Sequence, residues 1–290
     1  MKLRIAELHI DITCDDSIVA YLPNLRPFVA DGNSASDKAI CHIATGQTIT
    51  PEAAEPTLSS IGDDKSIHLW IKPDECKLSL QIHPIGKTYW LQADRRWQRV
   101  AIDCPATADD EEAAYMNDFI MIAFVYSSAF HGAATIHASS VAIAGEGCAF
   151  IGHSGIGKST HSGLWLRHIA GTRLLNDDQP VVRIHADGTT RIYGSPWSGK
   201  TDCYRNEGAN LRALFFMQQS TENSATRLTA LEIYQRLLKS TSLIGRDTAT
   251  FGAISHTQAT ISSSVPGYLL KNSPTEEAAR LSHKTFTDNP

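Results

Sequence analysis

The residues with the clearest chemical potential are residues 152–160, GHSGIGKST, which fit the pattern G-x-x-x-x-G-K-[ST]. Its glycines let successive backbone N–H groups converge on phosphate oxygens, and a helix that follows turns its positive end toward the same anion. Lys158 would reach the β- and γ-phosphates, and the Ser159 hydroxyl would complete the oxygen shell of Mg²⁺. The segment predicts a nucleoside triphosphate site made by Gly152, Ser154, Gly155, Ile156, Gly157, Lys158, Ser159 and Thr160.

The flanking sequence has the order that such a loop requires. The apolar run CAFI at 148–151 is typical of a strand, and residues 162–169 have the composition of a helix. The alternative is a glycine-rich turn that binds no ligand. The strand, loop and helix order favours the phosphate loop.

A pair of carboxylates follows the predicted loop helix. Phosphoryl transfer needs a carboxylate near the metal, and often a second one that accepts the proton of the attacking hydroxyl. Asp177 and Asp178 end an apolar strand that contains Leu174 and Leu175, and a sheet would deliver them beside the bound triphosphate. The alternative is a solvated turn without a catalytic role.

Four segments together carry a family resemblance: residues 137–139, 152–160, 176–178 and 194–200. They resemble the catalytic domain of the HPr kinase/phosphorylase superfamily, which shares its nucleotide-binding core with phosphoenolpyruvate carboxykinases. The resemblance covers roughly residues 130–285 and does not extend to the N-terminal third. It implies a mixed α/β fold in which an HPr kinase-like P-loop core follows a β-rich N-terminal region.

The resemblance also implies cofactors and roles. ATP and Mg²⁺ are the expected cofactors, with Lys158 and Ser159 on the triphosphate and metal, and Asp178 supporting the metal. Asp177 would act as the base that takes a serine-type proton. His137 would orient phosphate or the aspartate, although a histidine in a strand is equally consistent with a hydrogen-bonded core residue. Because family members often assemble into rings, a homo-oligomer is a further expectation.

Two basic residues, Lys200 and Arg205, follow the tight segment 195–199. They are expected to stabilise charge on the transferring phosphoryl group. The alternative is a structural turn in which Trp197 packs as an anchor. His153 and His161 are interpreted as variable polar positions within and just after the loop.

The acceptor is left open by two departures from the family pattern. Thr160 stands where HPr kinases typically carry an acidic residue, and their HPr-docking and dephosphorylation signature is not recognisable downstream. The predicted activity is therefore ATP- and Mg²⁺-dependent transfer of the γ-phosphoryl group to a hydroxyl of a protein, peptide or small molecule. The alternatives are a carboxykinase-like enzyme acting on oxaloacetate and a non-catalytic ATP-binding regulatory protein.

Composition places the chain among ordinary globular proteins. It has 290 residues, of which 42% are apolar and 20% charged, and it contains no apolar run approaching the roughly 20 residues of a membrane span. The N-terminus lacks the long apolar region of a secretory signal, so a cytoplasmic location is expected. A net charge of -5 gives no general attraction to nucleic acid. The six cysteines lack a CxxC pair and are expected to be reduced thiols.

The remaining patterns give the elements that must position these residues. Residues 1–108 are predicted to be a β-rich region with antiparallel strands at 67–71, 78–82 and 89–92, and residues 109–290 to be the nucleotide-binding domain. Within the second region we expect a buried helix at 113–130, a hairpin of strands 134–143 and 148–151, and a strand pair from 174–184 and 191–194. A strand at 214–217, a helix near 231–238, a strand at 268–270 and a helix started by Pro274 complete the prediction.

Overall fold

The computed structural model describes residues 1–30, 38–107, 109–241 and 247–288. Its internal contacts divide the chain into two compact units, Met1–His131 with Leu243–Ala253, and Gly132–Ser242 with Ile254–Pro290. Each unit combines a β-sheet with helices, which confirms the expected mixed α/β class.

The first unit contains an eight-stranded sheet in the order β1-β2-β3-β8-β7-β6-β5-β4. Its strands are β1 (Lys2–Ile5), β2 (Leu8–Thr13), β3 (Cys41–Ala44), β4 (Leu58–Ile61), β5 (Lys65–Ile71), β6 (Glu75–Ile82), β7 (Thr88–Asp94) and β8 (Arg99–Ile102). The three predicted antiparallel strands correspond to β5, β6 and β7, and β4 and β8 extend them into an antiparallel meander. Strand β3, however, runs parallel to both β2 and β8, a pairing that the local alternation of residues could not reveal.

Helix α1 (Asp110–Ala129) corresponds to the predicted helix 113–130 and begins with three acidic residues, which are favourable at the positive end of a helix dipole. The Asp109 side chain accepts a hydrogen bond from the Glu112 N–H and caps the helix. In the body of the helix, Tyr126 stacks on Trp97 with ring centroids 4.2 Å apart. By its contacts α1 lies in the first unit, whereas the sequence prediction grouped it with the nucleotide-binding region. The functional division at residues 108 and 109 stays a prediction.

The second unit contains a nine-stranded sheet whose main path is β12-β10-β11-β15-β14-β13-β9, with β17 paired to β15 and β16. Its strands are β9 (Ala133–Thr135), β10 (Ala138–Ile143), β11 (Glu146–Ile151), β12 (Arg173–Asp178), β13 (Val181–Ile184), β14 (Thr190–Tyr193), β15 (Gly208–Gln219), β16 (Ser224–Arg227) and β17 (Gly267–Asn272). Its helices are α2 (Lys158–His168), α3 (Ala230–Ser240), α4 (Thr248–Ser264, of which the part from Ile254 belongs to this unit) and α5 (Glu276–Thr287).

The two faces of this sheet bury different helices. On β11, Cys148 and Phe150 pack in one cluster with residues of α2 and α5, whereas Ala149 and Ile151 pack in another with residues of α3 and α4. This alternation is the period of two that a strand imposes. Strand β11 is therefore buried on both sides, which explains its continuous apolar sequence.

The expected β10–β11 hairpin is confirmed, with Ala138 paired to Ile151 and Ile143 to Glu146. The expected strand 174–184 is instead two strands, because the chain leaves β12 at Gln179 and Pro180 before β13 begins. Pro274 does not start the last helix: Thr275 caps it and Glu276 is its first residue. Helix α4 was not predicted. No helix among the described residues is both long and apolar enough to cross a membrane.

Candidate functional site

The loop between β11 and α2 has the backbone that its glycines allow. Gly155 and Gly157 have φ values of 79° and 105°, which residues with side chains rarely adopt. Gly157 is also the N-cap of α2. A Cβ on Gly152 would lie 2.8 Å from Cγ2 of Ile156, whose side chain is buried. Gly152 therefore packs closely against the buried Ile156 side chain of the same loop, and the N-terminus of α2 follows the loop.

The Lys158 side chain lies in the loop rather than in solvent, with 8% of the residue exposed. Its ammonium group donates to His137 Nε2 at 2.8 Å, to the Gly152 carbonyl at 2.9 Å and to the His153 carbonyl at 3.2 Å. Burial lowers the pKa of Lys158, while the nearby charges of Asp178 and Asp177 oppose that shift. All three N–H donors of the ammonium are therefore held by the protein itself.

His137 connects Lys158 to a carboxylate. Its Nδ1 lies 2.9 Å from Oδ1 of Asp178. Because an ammonium can only donate, Nε2 of His137 must accept from Lys158, and Nδ1 then carries the proton that points to Asp178. The backbone N–H of His137 donates to the Ser240 carbonyl at 2.6 Å, which fixes the start of β10. The structure thus makes His137 a partly exposed link between Lys158 and Asp178, rather than a core residue.

The register of the sheet brings the aspartates to this place. Strand β10 lies between β11 and β12, and it pairs Ser139 with Asp177 and Ala138 with Asp178. Asp177 is 5% exposed, and its backbone carbonyl accepts a hydrogen bond from the Gly199 N–H at 2.7 Å. A Cβ on Gly199 would lie 2.8 Å from that carbonyl oxygen. The segment around Gly199 therefore packs directly on the carboxyl end of β12.

Asn176 fastens this segment to β12, a role that sequence reasoning did not assign to it. Its buried amide donates to the Ser195 carbonyl and hydroxyl, each at 3.2 Å, and to the Trp197 carbonyl at 3.0 Å. Its amide oxygen accepts from the N–H groups of Asp178 and Gln179 at 3.1 and 2.8 Å. Trp197 is itself buried, so the alternative of a structural turn anchored by Trp197 agrees with the packing.

Replacing Asn176 with alanine should reduce the free energy of unfolding by at least about 2 kcal/mol, because several buried backbone groups lose their partners together. Chemical denaturation measures this change. Asn210→Ala is the matched control, since Asn210 is exposed and its side-chain amide donates to Glu146. Equal stabilities of the two variants would mean that Asn176 does not hold the segment.

These groups surround one cavity of about 390 Å³. It is lined by His137, Ser154, Gly155, Gly157, Lys158, Ser159, Thr160, Asp177, Asp178, Gly199 and Lys200. Arg205 is not part of this wall, and its guanidinium lies 3.7 Å from the Glu207 carboxylate. The structure therefore brings together the predicted loop, His137, both aspartates and Lys200, but does not bring Arg205 to them.

The oxygen donors in this cavity fit Mg²⁺. Ser159 and Asp178 both line it, and Mg²⁺ is commonly held by one or two protein oxygens together with substrate phosphates. Among the described residues, no group of three or more His, Cys, Asp and Glu side chains is arranged to hold a metal ion. Any Mg²⁺ in the cavity would therefore depend on phosphate oxygens as well as on these two residues.

His161 is not the variable polar position expected from the sequence. It is 1% exposed, its Nε2 lies 2.9 Å from the Ser282 hydroxyl of α5, and its ring contacts Phe150 edge to face. Burial lowers its pKa to about 4. The ring is therefore neutral at pH 7 and belongs to the core between α2 and the sheet.

This burial predicts a loss of stability in acid. The pKa of His161 lies below its unfolded value of 6.5, so the unfolded chain binds the proton first as the pH falls. The stabilisation is complete above pH 6.5 and falls by about 3 kcal/mol by pH 4. Between pH 7 and 4, His161→Gln should lose correspondingly less free energy of unfolding than the wild type. His256→Gln, at an exposed position of α4, should behave like the wild type; the same pH slope in both variants would contradict the assignment.

Comparisons with known proteins give a distant structural neighbour. No protein-family model matches the chain, and no curated protein sequence matches it. The chain is similar to a solved structure of the Hpr(Ser) kinase/phosphatase from Coxiella burnetii, with 12% identity and a TM-score of 0.33 over 53% of this chain and 97% of that one. A similarity of this size does not assign the chain to a family, so its function has to be inferred from the geometry of the site.

Proposed function

We propose that this protein is an ATP- and Mg²⁺-dependent kinase that transfers the γ-phosphoryl group to a hydroxyl. One observation carries the proposal: Lys158 of the phosphate loop contacts His137, His137 contacts Asp178, and Asp177 lines the same cavity. A phosphate-binding cation and two carboxylates with separate positions are the parts that phosphoryl transfer requires.

The loop and Lys158 supply the binding half of this activity. The N–H groups at the start of α2 and the positive end of its dipole favour a phosphate beside the loop. Lys158 would exchange its contacts with the Gly152 and His153 carbonyls for phosphate oxygens, which also restores a negative partner to a desolvated ammonium. Ser159 and Asp178 would hold Mg²⁺, whose charge would offset that of the phosphates.

Asp177 supplies the chemical half. The acceptor oxygen forms a bond to the γ-phosphorus while the bond from that phosphorus to the bridging oxygen breaks, and ADP leaves. The Asp177 carboxylate takes the proton of the acceptor hydroxyl. Lys200, in the wall of the same cavity, would stabilise charge on the moving phosphoryl group. Arg205 has no part in this proposal.

The acceptor is a hydroxyl-bearing protein, peptide or small molecule in this proposal. Transfer of label from [γ-³³P]ATP with Mg²⁺ to arrays of serine peptides, polyols and hydroxy acids tests it. We expect a labelled phosphate monoester, from which a phosphatase releases the label as inorganic phosphate. Tight ATP binding without any ester would favour a regulatory binding protein, and oxaloacetate-dependent formation of phosphoenolpyruvate would favour a carboxykinase-like enzyme. A cytoplasmic location and assembly into a homo-oligomer stay predictions from the sequence.

A further inference from the structure

A second cavity, of about 630 Å³, adjoins the phosphate loop. It shares Gly155, Gly157 and Thr160 with the cavity that holds Lys158 and the aspartates. The rest of its wall comes from the loop and α2, from the end of β15 and from the end of β17: Ile156, His161, Leu164, Gln219, Ser220, Thr221, Asn272, Ser273 and Pro274. Its volume lies within the range of small-molecule sites.

The two cavities differ in charge. The first is lined by Lys158, Lys200, Asp177 and Asp178, groups that suit phosphate and metal. The second has no Asp, Glu, Lys or Arg among its lining residues, and burial keeps its one histidine neutral. Ile156 and Leu164 contribute buried apolar surface to it. A ligand crossing the loop would therefore place its anionic end in the first cavity and an uncharged, largely apolar end in the second.

Asn272 gives this uncharged cavity a specific polar group. Only 8% of the residue is exposed, and its amide oxygen is buried without a hydrogen-bond partner among the described residues. Its main chain is fixed, because β17 pairs it with Gln219 of β15 and its carbonyl accepts from the Ser220 N–H at 3.1 Å. Buried polar groups are nearly always satisfied, so an unpartnered amide oxygen on a residue of the cavity wall calls for a donor on a ligand.

We propose that the second cavity binds the base of an adenine nucleotide, with the Asn272 amide oxygen accepting a hydrogen bond from the exocyclic amine. This inference rests on the proposed function, because the phosphates of the same nucleotide occupy the first cavity. Asparagine pairs well with the amine and N7 edge of adenine. Guanine presents a carbonyl at that edge, so two acceptors would face each other and GTP would be disfavoured.

The test compares the dissociation constants of four ligands in the presence of Mg²⁺: ATP, purine riboside triphosphate, GTP and inorganic tripolyphosphate. Purine riboside triphosphate differs from ATP only by the missing exocyclic amine. The wild type should bind ATP about tenfold more tightly than purine riboside triphosphate or GTP, the fold-change that corresponds to one well-formed hydrogen bond. In Asn272→Leu the ATP advantage should disappear, while tripolyphosphate binds as before. The exposed control Asn210→Leu should keep the wild-type preference.

Equal affinity of the wild type for ATP and purine riboside triphosphate overturns the inference, and this comparison needs no variant to fold. If that equality occurs while tripolyphosphate binds and Lys158→Met weakens it, the phosphate site stands and only the base site fails. If neither ATP nor tripolyphosphate binds, the proposed function and the inference both fail.

Discussion

Asp177→Asn should slow phosphoryl transfer by a factor of about 10²–10⁴, the usual contribution of a positioned general base. The dissociation constant of Mg–ATP should change by no more than about threefold, because the proposed metal ligand is Asp178. The substitution keeps the shape of the side chain. It also leaves intact the backbone hydrogen bond between the Gly199 N–H and the Asp177 carbonyl, so the cavity wall should persist.

Steady-state kinetics on the best acceptor, together with equilibrium binding of Mg–ATP, separate these effects. Asp187→Asn is the matched control, because Asp187 is exposed in the turn between β13 and β14. A variant of Asp177 that transfers phosphate at the wild-type rate would remove the proposed base. A large loss of Mg–ATP affinity with an unchanged rate would instead make Asp177 a metal ligand.

Lys158→Met should weaken Mg–ATP binding by about 10–100-fold and slow transfer by at least about 10²-fold. The variant loses charge-assisted hydrogen bonds to the phosphates, each worth about 1.5–3 kcal/mol. The same variant should lose little stability, because removing a desolvated charge offsets the loss of its three hydrogen bonds. Because the pKa of Lys158 is lower in the folded protein than in the unfolded chain, folding disfavours its charge, and removing that charge relieves the cost.

Isothermal titration with Mg–ATP and chemical denaturation measure the two sides of this prediction. Lys239→Met is the control, since Lys239 is exposed in the last turn of α3. Unchanged Mg–ATP affinity in Lys158→Met would show that the loop does not bind phosphate. A marked loss of stability would show instead that the contacts with His137 and the two carbonyls are mainly structural.

The sequence was most informative where the signal is local. The predicted phosphate loop, the strand before it and the helix after it depend on neighbouring residues, and the turn between β10 and β11 is short enough to be read directly. The end of β12 could be predicted to lie near the loop. That β10 is the strand between them, pairing Ser139 with Asp177, follows from the sheet register and needed the structure.

Long-range contacts account for what the sequence did not supply. The sequence left two roles open for His137, a site residue or a core residue. Only the fold places its ring between Lys158 and Asp178. Asn176 has no sequence signal that separates it from a turn asparagine. Arg205 was assigned from charge and proximity along the chain, which say nothing about the direction of a side chain that pairs with Glu207.

His161 carried a signal that could have been used. It lies three and four residues before Leu164 and Trp165, both buried, so helical spacing places all three on the inner face of α2. Its position just after the predicted phosphate loop favoured the interpretation of His161 as a variable polar position. The packing of α2 against α5 explains why the spacing was the better guide.

The most direct test of the central claim is a crystal structure with Mg²⁺ and a non-hydrolysable ATP analogue. We expect the γ-phosphate in the cavity of about 390 Å³, bonded to Lys158, with the metal on Ser159 and Asp178 and the Asp177 carboxylate facing the γ-phosphorus across space for a hydroxyl. Phosphates bound elsewhere, or a γ-phosphate beyond the reach of any hydroxyl that Asp177 could deprotonate, would contradict the account.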